Sequence, residues 1–426
     1  MSLLQKLFKK EEKNYGIALD IGTEVVKALI FKLEENEGRM KIVVLGVGRR
    51  KQNLGDMQAG AVTNIGGVVE SCRVALEEAV RQAKILPEKA IVGIAGELVK
   101  GETITVHYER LNPSLKIDLS ELKNIIQKVQ WKAFDQVRQQ LSWETGYPEI
   151  DVKLVNAAIV DVRIDGYKVT NPLGFQGKDV QVGIFNAFAP LVHLGALQTI
   201  TGELGLDLVS ITAEPYAVAR SMRGKEADFS AIFMDIGGGT TDIAVVSDGG
   251  VVGTKMFGLG GRAFTKRLAS LLGVSFEQAE KIKIDYANGL LTKPSSKKIK
   301  EALLADSEVW LSGVELSLSE FFSEEASSKL DLLPSVILLC GGGSQLPEIK
   351  EVLASSSWIK RLPFPRKPRI HFIKPHEVSG ILDKTSSLTS PQDITPMALA
   401  NLSLDLSGEE ELLPSILRKA IRLLQT

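Results

Sequence analysis

Ile232-Phe-Met-Asp-Ile-Gly-Gly-Gly-Thr-Thr-Asp-Ile-Ala-Val-Val246 reads as strand, tight turn, strand. Apolar β-formers run into Asp235, and a second buried run resumes at Ile243. Gly237, Gly238 and Gly239 carry no Cβ, so the backbone can turn sharply and bring N–H groups close to an anion. Thr240 and Thr241 add hydroxyl donors. Asp235 and Asp242 add carboxylates, which repel a bare phosphate but can hold Mg²⁺ or its waters. Phosphate donors beside a carboxylate for the metal make a nucleotide grip. The competing reading is a glycine-rich hairpin with no ligand.

Two further stretches support the grip. Ile17-Ala-Leu-Asp-Ile-Gly-Thr-Glu-Val-Val-Lys-Ala-Leu-Ile-Phe31 has the same design, with Asp20, Gly22 and Thr23 at its turn. The two Asp-Ile-Gly turns lie about half a chain apart, the mark of an internal duplication. A third signal, Val336-Ile-Leu-Leu-Cys-Gly-Gly-Gly-Ser344, follows another buried strand and precedes a helix-like Leu346 to Leu353. Its glycines suit close approach of the nucleoside end of a ligand.

In this order the three motifs resemble the actin-like ATPase superfamily, which includes sugar kinases and DnaK-type chaperones. The resemblance implies an α/β fold of two Rossmann/RNase H-like domains flanking a cleft for ATP and Mg²⁺. Asp20, Gly22 and Thr23 match the phosphate-1 turn, Asp235 and Gly237 to Thr241 the phosphate-2 turn, and Gly341, Gly342 and Gly343 the adenosine motif. Asp20 and Asp235 are the expected metal carboxylates.

Bulk properties agree with a globular enzyme-like or cytoskeletal chain. The 426 residues exceed one small core and predict at least two domains. A net charge of −1 gives no basis for nucleic-acid binding. Cys72 and Cys340 are far apart in apolar segments, which suits a reduced compartment rather than a disulfide. The four histidines show no metal-ligand spacing, and no apolar stretch reaches the roughly 20 residues of a membrane span. Residues 2–13 are too polar for a secretory signal.

Along the chain, a ββ hairpin, a strand at Met40 to Gly48, a helix at Ile65 to Ile85 and a strand at Ala90 to Ala95 form the first unit. Residues 97–182 then break the pattern: a capping-box helix from Asp118 and long β-like runs predict an inserted α/β subdomain. Here the resemblance narrows. Val92-Gly-Ile-Ala-Gly96, Asn171-Pro-Leu-Gly174, Glu214-Pro215 and Ala279-Glu-Lys-Ile-Lys283 together resemble the FtsA family of actin-like cell-division proteins. That resemblance identifies the insert with subdomain 1C. It sets expected boundaries: 14–96 and 183–212 for subdomain 1A, 97–182 for 1C, and 213–406 for domain 2 with a return to 1A near its end.

Glu214 is expected near the attacking water or the metal, with Asp235 the other catalytic carboxylate; an ordinary helix-start acid is the competing reading for Glu214. Gly260 and Gly261 start a helix that could approach the phosphates. Glu280 and Lys283, at i and i+3 after the Ser275 capping box, face one side. The resemblance turns them to the nucleoside; otherwise they are a solvent-exposed ion pair. Glu24 departs from the family, since many relatives carry a hydroxyl there. A carboxylate beside the β/γ-phosphates should weaken ATP binding unless it points away or works through Mg²⁺.

Both ends are amphipathic. Residues 1–13 read either as a frayed terminus or as a short interfacial helix. Near the other end Leu413, Ile416, Leu417, Ile421 and Leu424 share a helical face, with Arg418 beside it. This helix, within 407–426, reads as a membrane anchor or as a helix docked on the body. The FtsA resemblance implies filaments on the cytoplasmic face of the inner membrane, bound to anionic lipids and to the C-terminal peptide of an FtsZ-like tubulin homologue, with weak ATPase activity at most. A PilM-like pilus platform protein binding a peptide of a membrane partner is the alternative. A metabolic kinase ranks last, because no acceptor site or catalytic base stands out beyond the shared Asp residues.

Overall fold

The computed structural model describes residues 14–36, 38–147, 150–222, 229–322 and 330–407. The amphipathic segment 1–13 and the residues Leu413 to Leu424 lie outside the described residues.

The first half opens with a meander of β1 (Tyr15–Ile21), β2 (Val25–Asn36) and β3 (Arg39–Lys51). A small hairpin, β4 (Met57–Gln58) and β5 (Ala61–Val62), leads to α1 (Ile65–Ala83) and β6 (Lys89–Ile94). Helix α1 begins where the Asn64 side chain accepts from Gly67 N–H and stops where Lys84 adopts a left-handed conformation. Its buried stripe of Val68, Cys72, Leu76, Ala79 and Val80 lies on the meander.

The expected insert follows as β7 (Lys100–Glu109), α2 (Leu119–Thr145), β8 (Val152–Ile164), β9 (Tyr167–Lys168) and β10 (Asp179–Pro190). Asp118 caps α2 through Glu121 N–H. The helix buries Leu122, Ile125, Ile126 and Val129 against β7 and β10 in a core of their own. Strand β10 runs unbroken across the expected boundary at 182–183. In its second part Phe185, Ala187 and Ala189 join the main core, where the Phe185 ring stacks on Tyr216 at 5.0 Å, while Phe188 stays with the insert's core.

Next come α3 (Leu191–Glu203), β11 (Asp207–Ala213) and α4 (Glu214–Ser221). The second half repeats the opening: β12 (Ala231–Ile236), β13 (Thr241–Ser247) and β14 (Gly250–Phe257) form a meander. Helices α5 (Gly261–Leu272), α6 (Phe276–Ala287) and α7 (Lys293–Ser319) cover it, with Trp310 and Leu318 of α7 in the core. Then β15 (Val336–Cys340), α8 (Pro347–Leu353), α9 (Ser356–Ile359) and β16 (Arg369–Phe372) follow. Finally β17 (Ile381–Asp383) and α10 (Ile394–Ser407) return to the first half, where β17 pairs with β3 and Asp405 of α10 meets Arg220 of α4 at 3.0 Å.

The duplication expected from the two Asp-Ile-Gly turns is present in the topology. The first sheet runs β11-β6-β1-β2-β3-β17, and the second begins β16-β15-β12-β13-β14. In each half two parallel strands flank the first strand of an antiparallel meander. The insert extends the second sheet, not the first: β7, β10, β8 and β9 continue it to nine strands, joined where Gly253 and Thr254 of β14 pair with Glu102 and Gly101 of β7.

Candidate functional site

The register of the two hairpins builds the site. Ile21 pairs with Val26, and Ile236 pairs with Thr241, so each hairpin turns through the same number of residues. One step back, Asp20 lies opposite Lys27 and Asp235 lies opposite Asp242. The duplicated position across from the aspartate is therefore a cation in one half and an acid in the other. Lys27 Nζ reaches Asp20 Oδ2 at 2.8 Å.

The two turns meet face to face. A Cβ on Gly238 would lie 2.5 Å from Glu24 Cβ, and one on Gly239 would lie 2.6 Å from Thr23 Oγ1. These glycines allow the halves to touch. Gly237 N–H closes its own turn on Thr240 O at 2.9 Å. The first N–H groups of α5 are consumed behind it: Gly261 N–H donates to Gly237 O at 2.9 Å and Arg262 N–H to Gly238 O at 2.8 Å.

The cleft between the turns holds about 410 Å³, within the ordinary range for a small-molecule site. Asp20, Gly22, Thr23, Glu214, Asp235, Gly237, Gly238, Thr240, Gly261, Glu280, Lys283 and Gly341 to Gly343 all line it. Gly239, Thr241 and Gly260 stand behind that lining. Thr241 is fully buried, its hydroxyl donating to Leu259 O at 2.7 Å and accepting from Trp310 Nε1 at 2.8 Å. Gly260 leaves room for the Gly237 and Gly238 backbone that crosses it.

At one end of the cleft, Glu280 and Lys283 form a 2.7 Å pair at the wall. It is not solvent-exposed: Lys283 is buried and also donates to Gly261 O at 3.0 Å and Thr265 Oγ1 at 2.8 Å, tying α6 to α5. Ile284, Ala287 and Leu346 give apolar walls, and Asn288 and Gln345 bring side-chain amides. Such walls suit a planar ring.

At the other end four buried carboxylates converge: Asp20, Glu214, Asp235 and Asp242. Burial, then the charges of Asp20, Asp242 and Asp235, push the Glu214 carboxyl well above its ordinary range. Burial and then Asp235 do the same to Asp242. Asp235 is raised by burial, an effect opposed by hydrogen bonds from Thr395 and Cys340 and by the Lys27 charge. Burial pulls the Lys27 ammonium down, but Asp20, Asp235 and Glu214 more than offset it, and the net shift is upward. The other cations lining the cleft, Arg262 and Lys283, are already paired with Glu24 and Glu280. Among the described residues, Lys27 is the cation left to face the four acids.

That imbalance fits a divalent cation. Asp242 Oδ1 is buried with no hydrogen-bond partner among the described residues. The donors are hard carboxylate oxygens, which suit Mg²⁺. Among the described residues no group of three or more acids, histidines or cysteines closes on one point. The arrangement therefore fits an ion that brings its own waters and phosphate ligands, held by Asp20 and Asp235.

The acid cluster sets a pH dependence. With folded-state pKa values raised, the native chain retains protons that the unfolded chain has released. Stability should fall as pH climbs from the ordinary carboxylate range through the raised values. Asp242→Asn removes one repelling charge at nearly constant shape. We expect the ligand-free melting temperature to rise by about 2 °C near neutral pH, on the order of 1 kcal/mol. The gain should shrink in acid, where Asp242 is protonated anyway. Thermal melts across pH check this.

Glu24 lines the cleft, yet its charge is spoken for. Oε2 accepts from Arg262 Nε at 2.6 Å, and Oε1 lies 3.3 Å from Lys51 Nζ without a directed hydrogen bond. The carboxylate expected to oppose the phosphates is thus balanced by Arg262 and Lys51. Lys27, Arg262 and Thr395 escaped the sequence reading. Lys27 was within reach by counting outward along the first hairpin; Arg262 and Thr395 come from other elements, and no local signal marks them.

The family model "Cell division protein FtsA" matches residues 232–395. The FtsA of Neisseria meningitidis serogroup B is 29% identical over 65% of this chain and 62% of its own length. The FtsA of Pseudomonas aeruginosa is 26% identical over 78% of each chain. Among solved structures, the PilM-PilN type IV pilus biogenesis complex aligns over 91% of this chain and 98% of its own with a TM-score of 0.63 at 17% identity, a likeness of fold.

Proposed function

We propose that this chain, FtsA-like in sequence and actin-like in fold, is a cell-division actin homologue that binds Mg-ATP in the cleft between its halves. The observation that carries the proposal is the meeting of the two duplicated turns, where Gly238 and Gly239 abut Glu24 and Thr23, over four buried carboxylates and Lys27. Mg²⁺ would screen the phosphate charge from these acids. Asp20 and Asp235 would hold the metal, Lys27 would balance Asp20, and Glu280 and Lys283 would border the ribose. Isothermal titration of the intact chain with ATP and Mg²⁺ should show binding, weakened about tenfold by Asp235→Ala. No binding by the intact chain would sink the proposal.

Nucleotide serves here as a conformational and assembly switch, and hydrolysis is slow. Glu214, the carboxylate poised for water, is held toward its protonated form by burial and by its acidic neighbours, which suits a poor base. Turnover should stay far below the roughly 10 s⁻¹ of an ordinary metabolic enzyme.

Its place is the cytoplasmic face of the inner membrane, as filaments that tether the C-terminal peptide of an FtsZ-like tubulin homologue. Subunit contacts involve the insert, whose private core contains none of the proposed nucleotide residues. Attachment rests on Leu413, Ile416, Leu417, Ile421 and Leu424 with Arg418. Partial insertion contributes on the order of 1 kcal/mol per side chain, at ~25 cal/mol/Å², and helix ordering offsets much of it. One copy therefore binds reversibly, and a filament multiplies the contacts. Leu417→Glu should release the protein from anionic liposomes, with less effect from Ser415→Glu. Binding that survives Leu417→Glu and loss of residues 1–13 would place the anchor elsewhere.

A further inference from the structure

Strand β16 ends the nine-stranded sheet at the side opposite the insert. Its ladder partner among the described residues is β15. Arg369 N–H donates to Ser335 O at 3.0 Å and Ile373 N–H to Leu339 O at 2.8 Å. Alternate residues of a strand turn their amides to the same neighbour. The amides and carbonyls of Ile370 and Phe372 therefore face the open edge.

This edge is strongly basic. Arg366, Lys367, Arg369, His371, Lys374 and His376 are all exposed, and Glu377 is the one acid from 366 to 377. None of those basic side chains makes an ion pair among the described residues. Lys350 adds another ammonium 5.5 Å above the Phe372 ring. At the end of the strand lies a groove of about 650 Å³, its apolar walls formed by Phe372, Pro375, Leu388 and Pro391.

Open backbone donors and acceptors, uncompensated positive charge and an apolar groove occur together here. We propose that this edge takes an extended acidic peptide of a partner protein as an added strand, with one large apolar side chain entering the groove. Charge complementarity selects the partner's sign. An anionic membrane would satisfy the charge but leave the edge amides unused, which is why a peptide fits better.

The test uses the full chain and a fluorescein-labelled peptide, Glu-Asp-Val-Phe-Val-Asp-Glu. Two companions are the same peptide N-methylated at both valines and a version with every acid replaced by lysine. Fluorescence anisotropy should show binding of the acidic peptide, reduced about tenfold or more by the paired substitution Arg369→Glu with Lys374→Glu, by added salt and by N-methylation. Hydrogen exchange at Ile370 and Phe372 should slow on binding. Both substituted side chains are exposed, and circular dichroism confirms the variant is folded; Arg366→Glu serves as a second variant. The proposal is overturned if the lysine peptide binds equally well, or if N-methylation and the edge amides show no effect. It is likewise overturned if phosphatidylserine vesicles bind through these residues and the peptide does not.

Discussion

Arg262→Ala should destabilise the chain by about 3 kcal/mol and loosen the two halves from each other. Arg262 sits in the first turn of α5, in the second half, yet its guanidinium makes four hydrogen bonds to the first. Nε meets Glu24 Oε2 at 2.6 Å, Nη2 meets Thr23 O at 2.6 Å, and Nη1 meets Met57 O at 2.9 Å and Leu54 O at 3.3 Å. The Arg262 and Glu24 side chains are only 11% and 16% exposed, so solvent screens the pair weakly. Truncation strands the Glu24 carboxylate beside Lys51 alone and leaves the Thr23, Met57 and Leu54 carbonyls without this donor. Lysine keeps the charge but loses the planar fork, so Arg262→Lys should recover only part of the loss. Because Thr23 and Glu24 lie in the first of the two turns proposed to grip the nucleotide, ATP affinity should fall with stability. Urea denaturation measures the first quantity and titration the second. A variant within about 0.5 kcal/mol of the parent would show that the clasp is incidental.

Gly341→Ala should be comparably severe for a different reason. Gly341 holds φ 82° and ψ 157°, a backbone region open essentially to glycine alone. An added Cβ would lie 2.1 Å from Asp235 Oδ1 and 2.5 Å from Ile236 O. Either β15 shifts or the Asp235 carboxylate does. Strain and displacement together are worth about 3 kcal/mol, which in nucleotide affinity is on the order of a hundredfold. Gly342→Ala is the control. The nearest atoms to its added Cβ belong to Gln392, 4.0 Å away, so the melting temperature should hardly move. If both variants melt and bind alike, the special backbone of Gly341 is not what shapes the site.

The readings that succeeded rest on local chemistry. Asp-Ile-Gly between buried runs specifies a hairpin whatever surrounds it, and two such hairpins in one chain predicted the duplicated meander. Ser275 with Gln278 predicted a helix start, and both hydrogen bonds of that capping box are present. Gly-Gly-Gly after Cys340 lines the cleft, the position that close approach of a ligand requires. The readings that needed revision concern what lies across space. Thr241 was counted as a phosphate donor, but its hydroxyl is held by Leu259 and Trp310. Glu280 and Lys283 could have faced solvent by spacing alone; the packing of α6 on α5 buries Lys283.

By itself the sequence determined the class of fold, the duplication, the three glycine turns and the carboxylates that belong to them. The turns and their carboxylates are set within a few residues by backbone conformation and apolar patterning, and the class of fold is what the resemblance of those motifs implies. Tertiary structure alone decided that the insert joins the second sheet through Gly101 and Glu102, that Arg262 closes the cleft on Glu24, and that Thr395 reaches Asp235 from α10. Each of these links partners separated by more than a hundred residues. Their choice depends on which surfaces the two cores leave free to meet, and no short stretch of chain encodes that.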